Sequence, residues 1–278
     1  MSDRTGHTGA RSIQGLLTLD TIRDIKLYQS KGGYRFSVDA LLLFSFVNVV
    51  RVKRVADIGA GSGVIGLLLA RKYRSAHVTL IELQDSLVDL ALRNVSLNSL
   101  DGRVDVMRLD VKALGSRGTA AGGDRLLVSG PVARNVAGET SVRGPAAGSF
   151  DLVISNPPFR KAMTGRLSEG DERALARHEI AVTLADVVCA ASLLLRHHGR
   201  FCIIHLPERL PDVIELMRAH ALEAKRARFV HSRLSSEAKM VLVEAVKGGR
   251  GGLKVEKPLC IYDEDGVYSE EMRALYRS

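Results

Sequence analysis

The chain has no tryptophan, only three cysteines and seven prolines, and no apolar run near the roughly 20 residues that a membrane-crossing helix needs. A soluble, cytoplasmic protein that stays off the membrane is expected. The start, MSDRTGHTGARSIQG, is polar and carries no apolar stretch of the kind an export signal uses, so residues 1–15 read as a disordered terminus. Cys189, Cys202 and Cys260 lie far apart in apolar contexts, with no Cys-x-x-Cys pair and no His-Cys spacing. Buried thiols in a reducing compartment follow, with neither a disulfide framework nor a metal site. Proline is scarce, yet two of the seven stand side by side at positions 157 and 158.

With 46% hydrophobic residues over 278 positions, a substantial core can form. Forty Lys and Arg against 31 Asp and Glu give a formal charge of +9. That balance favours an acidic partner, nucleic acid first, although surplus arginine also serves solubility. Apolar runs at 54–60, 77–83, 104–111, 150–155, 200–206, 227–233 and 239–247 are dense in Val, Ile and Leu, as in strands buried on both faces. Helical spacing fills 63–73, 84–98, 183–199 and 209–222. In the third helix Thr183 and Asp186 form a capping pair and Gly199 reads as the stop. Strand–helix alternation predicts an α/β, Rossmann-like sheet of seven mostly parallel strands, closed by a C-terminal antiparallel hairpin. The Gly-, Ala- and Ser-rich stretch 115–148 interrupts this pattern as a flexible insertion.

DIGAGSGVIG follows the first strand of this series and opens a helix. Gly61-x-Gly63-x-x-Gly66 fits the dinucleotide fingerprint, and Glu82 stands where an acceptor for ribose hydroxyls belongs. NAD and S-adenosylmethionine both satisfy the glycines. Asp57 favours the second, because a carboxylate beside the loop repels a pyrophosphate and suits a sulfonium. Gly59 extends the loop, and Asp110 ends the third strand where an adenine amino group would sit. Asp-x-Gly-x-Gly-x-Gly resembles the first motif of class I S-adenosylmethionine-dependent methyltransferases.

FDLVISNPPF ends the fourth strand in a carboxamide, two stiff carbonyls and a ring. The Asn156 oxygen and the Pro157 carbonyl can accept both N–H bonds of a planar amine and favour its pyramidalisation. Pro157 and Pro158 stiffen the turn and remove competing donors. Phe159 offers a stacking face, typically worth about 1–3 kcal/mol per base. A planar amine or amide nitrogen is the expected target. Basic residues follow at once, with Arg160, Lys161 and Arg166 at the rim as candidate RNA contacts. Arg173, Arg177 and His178, then Lys225, Arg226, Arg228 and Arg233, add charge that a solvated surface would equally explain.

Residues 19–47 alternate polar and apolar, and Gly32-Gly33 suggests a hairpin before an apolar helix opened by Ser37-Val38-Asp39. Ser37 and Asp39 could contact a cofactor or simply cap that helix. Together, IRDIKLYQSKGGYRFSVDALLL, DIGAGSGVIGLLLA, SNPPFRK, ARHE and GLKVEKPLCIYDEDGVYSEEM resemble the tRNA1(Val) (adenine(37)-N6)-methyltransferase family over roughly 16–276. The resemblance implies S-adenosylmethionine held by Asp57, Gly59, Gly61, Glu82 and Asp110, and adenine held by Asn156 to Phe159. It implies a monomer whose partner is tRNA, with a hairpin and cap helix at 16–50, a methyltransferase domain at 51–250 and an extension at 251–278. A glutamine amide, guanine N2 of ribosomal RNA, and a non-catalytic RNA-binding module on the same fold stay open as alternatives.

Overall fold

A computed structural model describes residues 17–31, 37–115, 133–134, 140–141, 145–159 and 182–277. The chain begins with β1 (Leu17–Ile22), β2 (Ile25–Ser30) and α1 (Val38–Phe46). The central run is β3 (Arg54–Ile58), α2 (Val64–Lys72), β4 (His77–Glu82), α3 (Asp85–Leu97), β5 (Val104–Arg108) and α4 (Lys112–Gly115). After the two-residue strands β6 (Ala133–Arg134) and β7 (Thr140–Ser141) come β8 (Phe150–Ser155), α5 (Leu184–Leu194) and β9 (Leu195–His205). The last third holds α6 (Leu210–Ala219), β10 (Leu222–His231), β11 (Ala238–Lys247), β12 (Lys254–Val255), β13 (Leu259–Cys260) and α7 (Glu270–Tyr276).

All strands after β2 join one eleven-stranded sheet. Its long strands run β5-β4-β3-β8-β9-β11-β10, the seven expected, and short strands extend both edges. Pairing is parallel from β5 to β9, and β11 lies antiparallel between β9 and β10. The two-residue side-chain period sorts the core into two layers. Val55, Leu152, Ile154, Cys202 and Ile204 face α1, α2 and α3, whereas Ala56, Val153, Phe201 and Ile203 face α5 and α6. Both faces are therefore buried, which is why the strands read as near-continuous apolar runs. Chain direction across the sheet reverses between β3 and β8, so a crevice opens at their C-terminal ends.

One local expectation is corrected. Helix α5 keeps its Thr183–Asp186 capping box but stops at Leu194, and the chain enters β9 without a loop. Gly199 is thus a strand residue, not a helix stop. A Cβ there would lie 2.9 Å from the Phe150 carbonyl, so the glycine lets β9 approach β8 at the register shift beside Phe150. The β1–β2 hairpin turns at Arg23-Asp24, with Arg23 at φ 52°; Gly32-Gly33 lie outside the described residues.

That hairpin is held by side chains. Asn94 of α3 and Asn98, the residue that caps its C-terminus, lie four positions apart and each bridge one residue of β2. Asn94 accepts from Tyr28 N at 2.7 Å and Asn98 from Lys26 N at 2.9 Å, and both return a bond to the same residue's carbonyl. Four residues of helix rise about 6 Å and two of strand about 6.6 Å, so the repeats match. The hairpin and α1 also meet the last third of the described residues. Arg23 donates to the Leu275 carbonyl at 3.0 Å, and Arg226 of β10 donates to the Phe46 carbonyl at the end of α1. The Arg226 guanidinium lies 4.0 Å from the Phe46 ring centroid and pairs with buried Glu244 and with Glu256.

Candidate functional site

The glycine loop starts where β3 runs out. Gly59 N and Ala60 N both donate to the Ile81 carbonyl, at 2.9 and 3.0 Å, which turns the chain across the top of β4. Gly59, Gly61 and Gly63 sit at φ 70°, 57° and 89°, the left-handed region that a side chain resists. A Cβ on Gly59 would meet nothing within 4 Å, so the loop backbone faces open space. Gly66 has a different task, because its Cβ would fall 2.1 Å from Leu80 Cδ2, and it lets α2 press onto β4.

Two carboxylates brace the loop from below. Asp57, 1% exposed, accepts from Gly66 N at 3.0 Å and so ties β3 to the first turn of α2. Burial pushes its pKa up to about 7; the Gly66 N–H opposes the rise and the nearby Glu82 charge adds to it. Glu82 accepts from Gly61 N with one oxygen, and from Leu83 N and Gln84 N with the other, all at 2.9 Å. A carboxylate offers about four lone-pair sites, so one is left for an outside donor. Asp110, half-buried at the end of β5, accepts from Lys112 N through Oδ1 at 3.0 Å. Ser37 Oγ donates to Asp39 at 2.7 Å and makes no side-chain cap bond to α1.

Asn156 leaves β8 one strand away from the glycine loop. Ser155 Oγ donates to the Ile58 carbonyl at 2.8 Å, a fully buried bond that fixes the end of β8 against the start of the loop. Ser155→Ala should cost about 1 kcal/mol, read as a thermal midpoint lower by roughly 2–4 °C. Among the described residues no hydrogen bond engages the half-buried Asn156 carboxamide. Pro157 is buried and Pro158 exposed. The Phe159 ring stands edge-on to His205 at the end of β9, with centroids 5.5 Å apart and an interplanar angle of 69°. His205 is buried, and its Nδ1 accepts from Leu206 N at 2.8 Å, which places the ring proton on Nε2. Burial first, then the Arg209 charge, lower its pKa and keep it neutral.

The strand ends thus bring together Asp57, Gly59, Gly61, Gly63, Glu82 and Asp110 on one side of the crevice and Asn156 to Phe159 on the other. Arg160, Lys161, Arg166, Arg173, Arg177 and His178 lie outside the described residues. Arg226 and Arg228 are corrected as free surface charge: Arg226 pairs as above, and Arg228 holds Glu271 through two bonds of 2.6 and 2.7 Å. Sequence reasoning missed Ser155, His205 and Asn94. Asn94, fully buried, donates to the Ser62 carbonyl at 2.9 Å as well as to Tyr28, and so joins loop, helix and hairpin. Its one visible signal is an amide among the apolar positions Ala91 and Val95 of α3.

Residues 35–120 match the family model described as methyltransferase small domain. The chain is 27% identical over 253 residues to the tRNA1(Val) (adenine(37)-N6)-methyltransferase of Aeromonas hydrophila, covering 90% of this chain and 92% of that one. It is 24% identical over 262 residues to the protein of the same name from Phocaeicola vulgatus, covering 92% and 94%. Among solved structures, a predicted O-methyltransferase from Agrobacterium tumefaciens superposes with a TM-score of 0.63 at 24% identity, over 85% of this chain and 94% of that one. The 16S rRNA N2 G1207 methyltransferase of T. thermophilus, in complex with AdoMet and guanosine, gives 0.51 at 18% identity, over 84% and 51%. The fold is the Rossmann-like fold of class I methyltransferases.

Proposed function

We propose that this methyltransferase uses S-adenosylmethionine to methylate N6 of an unpaired adenine in tRNA, at a tRNA1(Val) adenine-37 type of position, as a cytoplasmic monomer. The carrying observation is the unengaged Asn156 carboxamide, held one strand from the glycine loop by the Ser155–Ile58 bond. The names of the full-length relatives support the substrate.

The open face above Gly59 and the spare lone pair of Glu82 fit a nucleoside cofactor, with Glu82 toward its ribose and Asp110 toward its adenine. Ser37 and Asp39 stand at the start of α1 for its amino-acid end. When bound, S-adenosylmethionine supplies an electrophilic methyl group on a sulfonium. The protein's own work is positioning, which can supply several kcal/mol of the barrier. Asn156 Oδ1 and the Pro157 carbonyl accept the two N–H bonds of the exocyclic amine, which turns its lone pair out of the ring plane. Phe159, steadied by His205, stacks on a base that has left its helix. No side chain need titrate in these steps.

Radiolabelled S-adenosylmethionine with unmodified tRNA should yield N6-methyladenosine by mass spectrometry of the digested nucleosides. N2-methylguanosine or methylated glutamine would replace the substrate reading, and failure of calorimetry to detect cofactor binding would leave an RNA-binding module.

A pH dependence follows from Asp57. Its raised folded pKa favours the neutral acid, so its contribution to stability is full below about pH 4 and is lost as pH rises through about 7. A nearby sulfonium favours the carboxylate. Affinity for S-adenosylmethionine should therefore rise through pH 7, with proton release seen by calorimetry in buffers of different ionisation heat. S-adenosylhomocysteine, whose sulfur is uncharged, should release less. Equal release by both ligands would remove Asp57 from this role.

A further inference from the structure

The opposite edge of the sheet, where the parallel strands begin, carries a cluster that the proposed reaction does not use. Arg71 in the last turn of α2, Arg74 just beyond it and Arg103 immediately before β5 line one cavity of about 350 Å³, with Asp24 of the β1–β2 turn as the fourth lining residue. Strands of five or six residues separate this edge from the glycine loop by about 16–20 Å.

Part of this cluster is explained by helix ends. Arg103 Nη1 donates to the carbonyls of Ala70 and Arg74 at 2.9 Å and reaches that of Tyr73 at 3.5 Å, closing the C-terminus of α2. Arg71 Nη2 donates to the Asn98 carbonyl, 2.9 Å away at the end of α3. Those bonds use a minority of the donors, since each guanidinium carries five N–H groups. Arg71 Nε is buried and has no partner at all, and it is the one buried side-chain nitrogen or oxygen so placed among the described residues. Buried donors in folded proteins are nearly always satisfied. Arg74 is exposed and makes no side-chain bond, and no ion pair joins Asp24 to any of the three arginines, among the described residues. Three cations, two of them held by helix-end carbonyls, thus line one cavity against a single carboxylate. The edge stays basic beyond it, through exposed Arg51, Lys53 and Arg54.

We propose that Arg71, Arg74 and Arg103 form a phosphate-binding site distinct from the catalytic crevice. Guanidinium forks match the paired oxygens of a phosphate mono- or diester. The charge excess of the cavity over Asp24 favours a dianion or a phosphodiester over a neutral ligand. Two sources share this chemistry: a backbone phosphate of a bound RNA, and a free phosphate compound. The site stands independently of the methyl-transfer reading.

Arg74→Gln removes one guanidinium and leaves the helix caps intact, because Arg103 contacts residue 74 through its main-chain carbonyl, which the substitution keeps. Inorganic phosphate should bind the full-length protein in calorimetry and raise its thermal midpoint, and Arg74→Gln should weaken that binding at least tenfold. Arg103→Lys, which keeps a charge but loses the fork, should weaken it too. A tRNA filter-binding assay then separates the sources. For an RNA phosphate the salt dependence of tRNA binding, log K against log salt, should flatten by about one unit in Arg74→Gln. An unchanged slope, with phosphate binding still lost, assigns the site to a free phosphate compound. No phosphate binding by the wild type, or binding indifferent to Arg74→Gln, overturns the proposal and leaves the arginines as helix caps. Cofactor affinity should be the same in every variant, so a failed methylation assay and a failed phosphate titration are separate results.

Discussion

Asn156→Ala should lower the methylation rate by about 10²–10³-fold while cofactor affinity changes less than about threefold. Loss of a single preorganised group that acts only as the transition state forms costs rate in this range. The side chain is placed for such an effect, because nothing else in the described structure uses its carboxamide. Its removal therefore leaves no buried partner unsatisfied, and the thermal midpoint should hold. Single-turnover kinetics with saturating tRNA, beside a calorimetric titration of the cofactor, read the two quantities separately. A parallel loss of both would move Asn156 from the reacting amine to the cofactor or the fold. Asn156→Asp tests the donor–acceptor argument further. A carboxylate keeps the accepting oxygen, so it should retain more activity than alanine if acceptance is the function.

Asn94→Ala should be the most damaging change away from the crevice. Three bonds disappear at once, two to Tyr28 and one to the Ser62 carbonyl, all at a fully buried position. The Tyr28 N–H and carbonyl, both partly buried, and the buried Ser62 carbonyl are left without those partners, and an unsatisfied buried group typically costs about 1–3 kcal/mol. Relaxation and water entry reduce the sum, so a loss of about 3 kcal/mol is expected. Chemical denaturation should show it as a lower midpoint at unchanged slope. Ser62 belongs to the glycine loop, so cofactor affinity should also fall, unlike in Asn156→Ala. Asn94→Asp keeps the acceptor for the Tyr28 N–H but sets a buried carboxyl oxygen against the Tyr28 and Ser62 carbonyls, so it should not restore stability. An Asn94→Ala protein with wild-type stability would show that the hairpin is held by its apolar face alone.

These two asparagines also show what a sequence discloses and what it hides. Asn156 is legible because its chemistry is local: strand, amide, two prolines and a ring occupy consecutive positions. The same holds for the glycine loop, whose positive φ values demand the residue that is there. Asn94 and Asn98 are 66 and 72 residues from Tyr28 and Lys26, and Ser155 is 97 from Ile58, so no local pattern connects them. The long strands were readable from Val, Ile and Leu density because both sheet faces are buried. The end of α5 was not, since Leu193 to Leu195 fit a helix and a buried strand equally well, and Gly199 imitates a helix stop. Its true constraint, the approach to Phe150, comes from a neighbouring strand. Arg226 and Arg228 alternate as solvent-facing charges do, yet Glu244, Glu256 and Glu271 arrive from elsewhere to meet them.

The clasp between Arg23 and the Leu275 carbonyl, with Arg226 on Phe46, spans 252 and 180 residues. During translation, the hairpin and first helix emerge from the ribosome long before Arg226 and Leu275 exist. The hairpin can seat on Asn94 and Asn98 once α3 has formed, but the clasp itself closes only after Leu275 has been made. A chain cut before Leu275 would therefore lose a contact of its β1–β2 turn, a lesion about 250 residues from the cut.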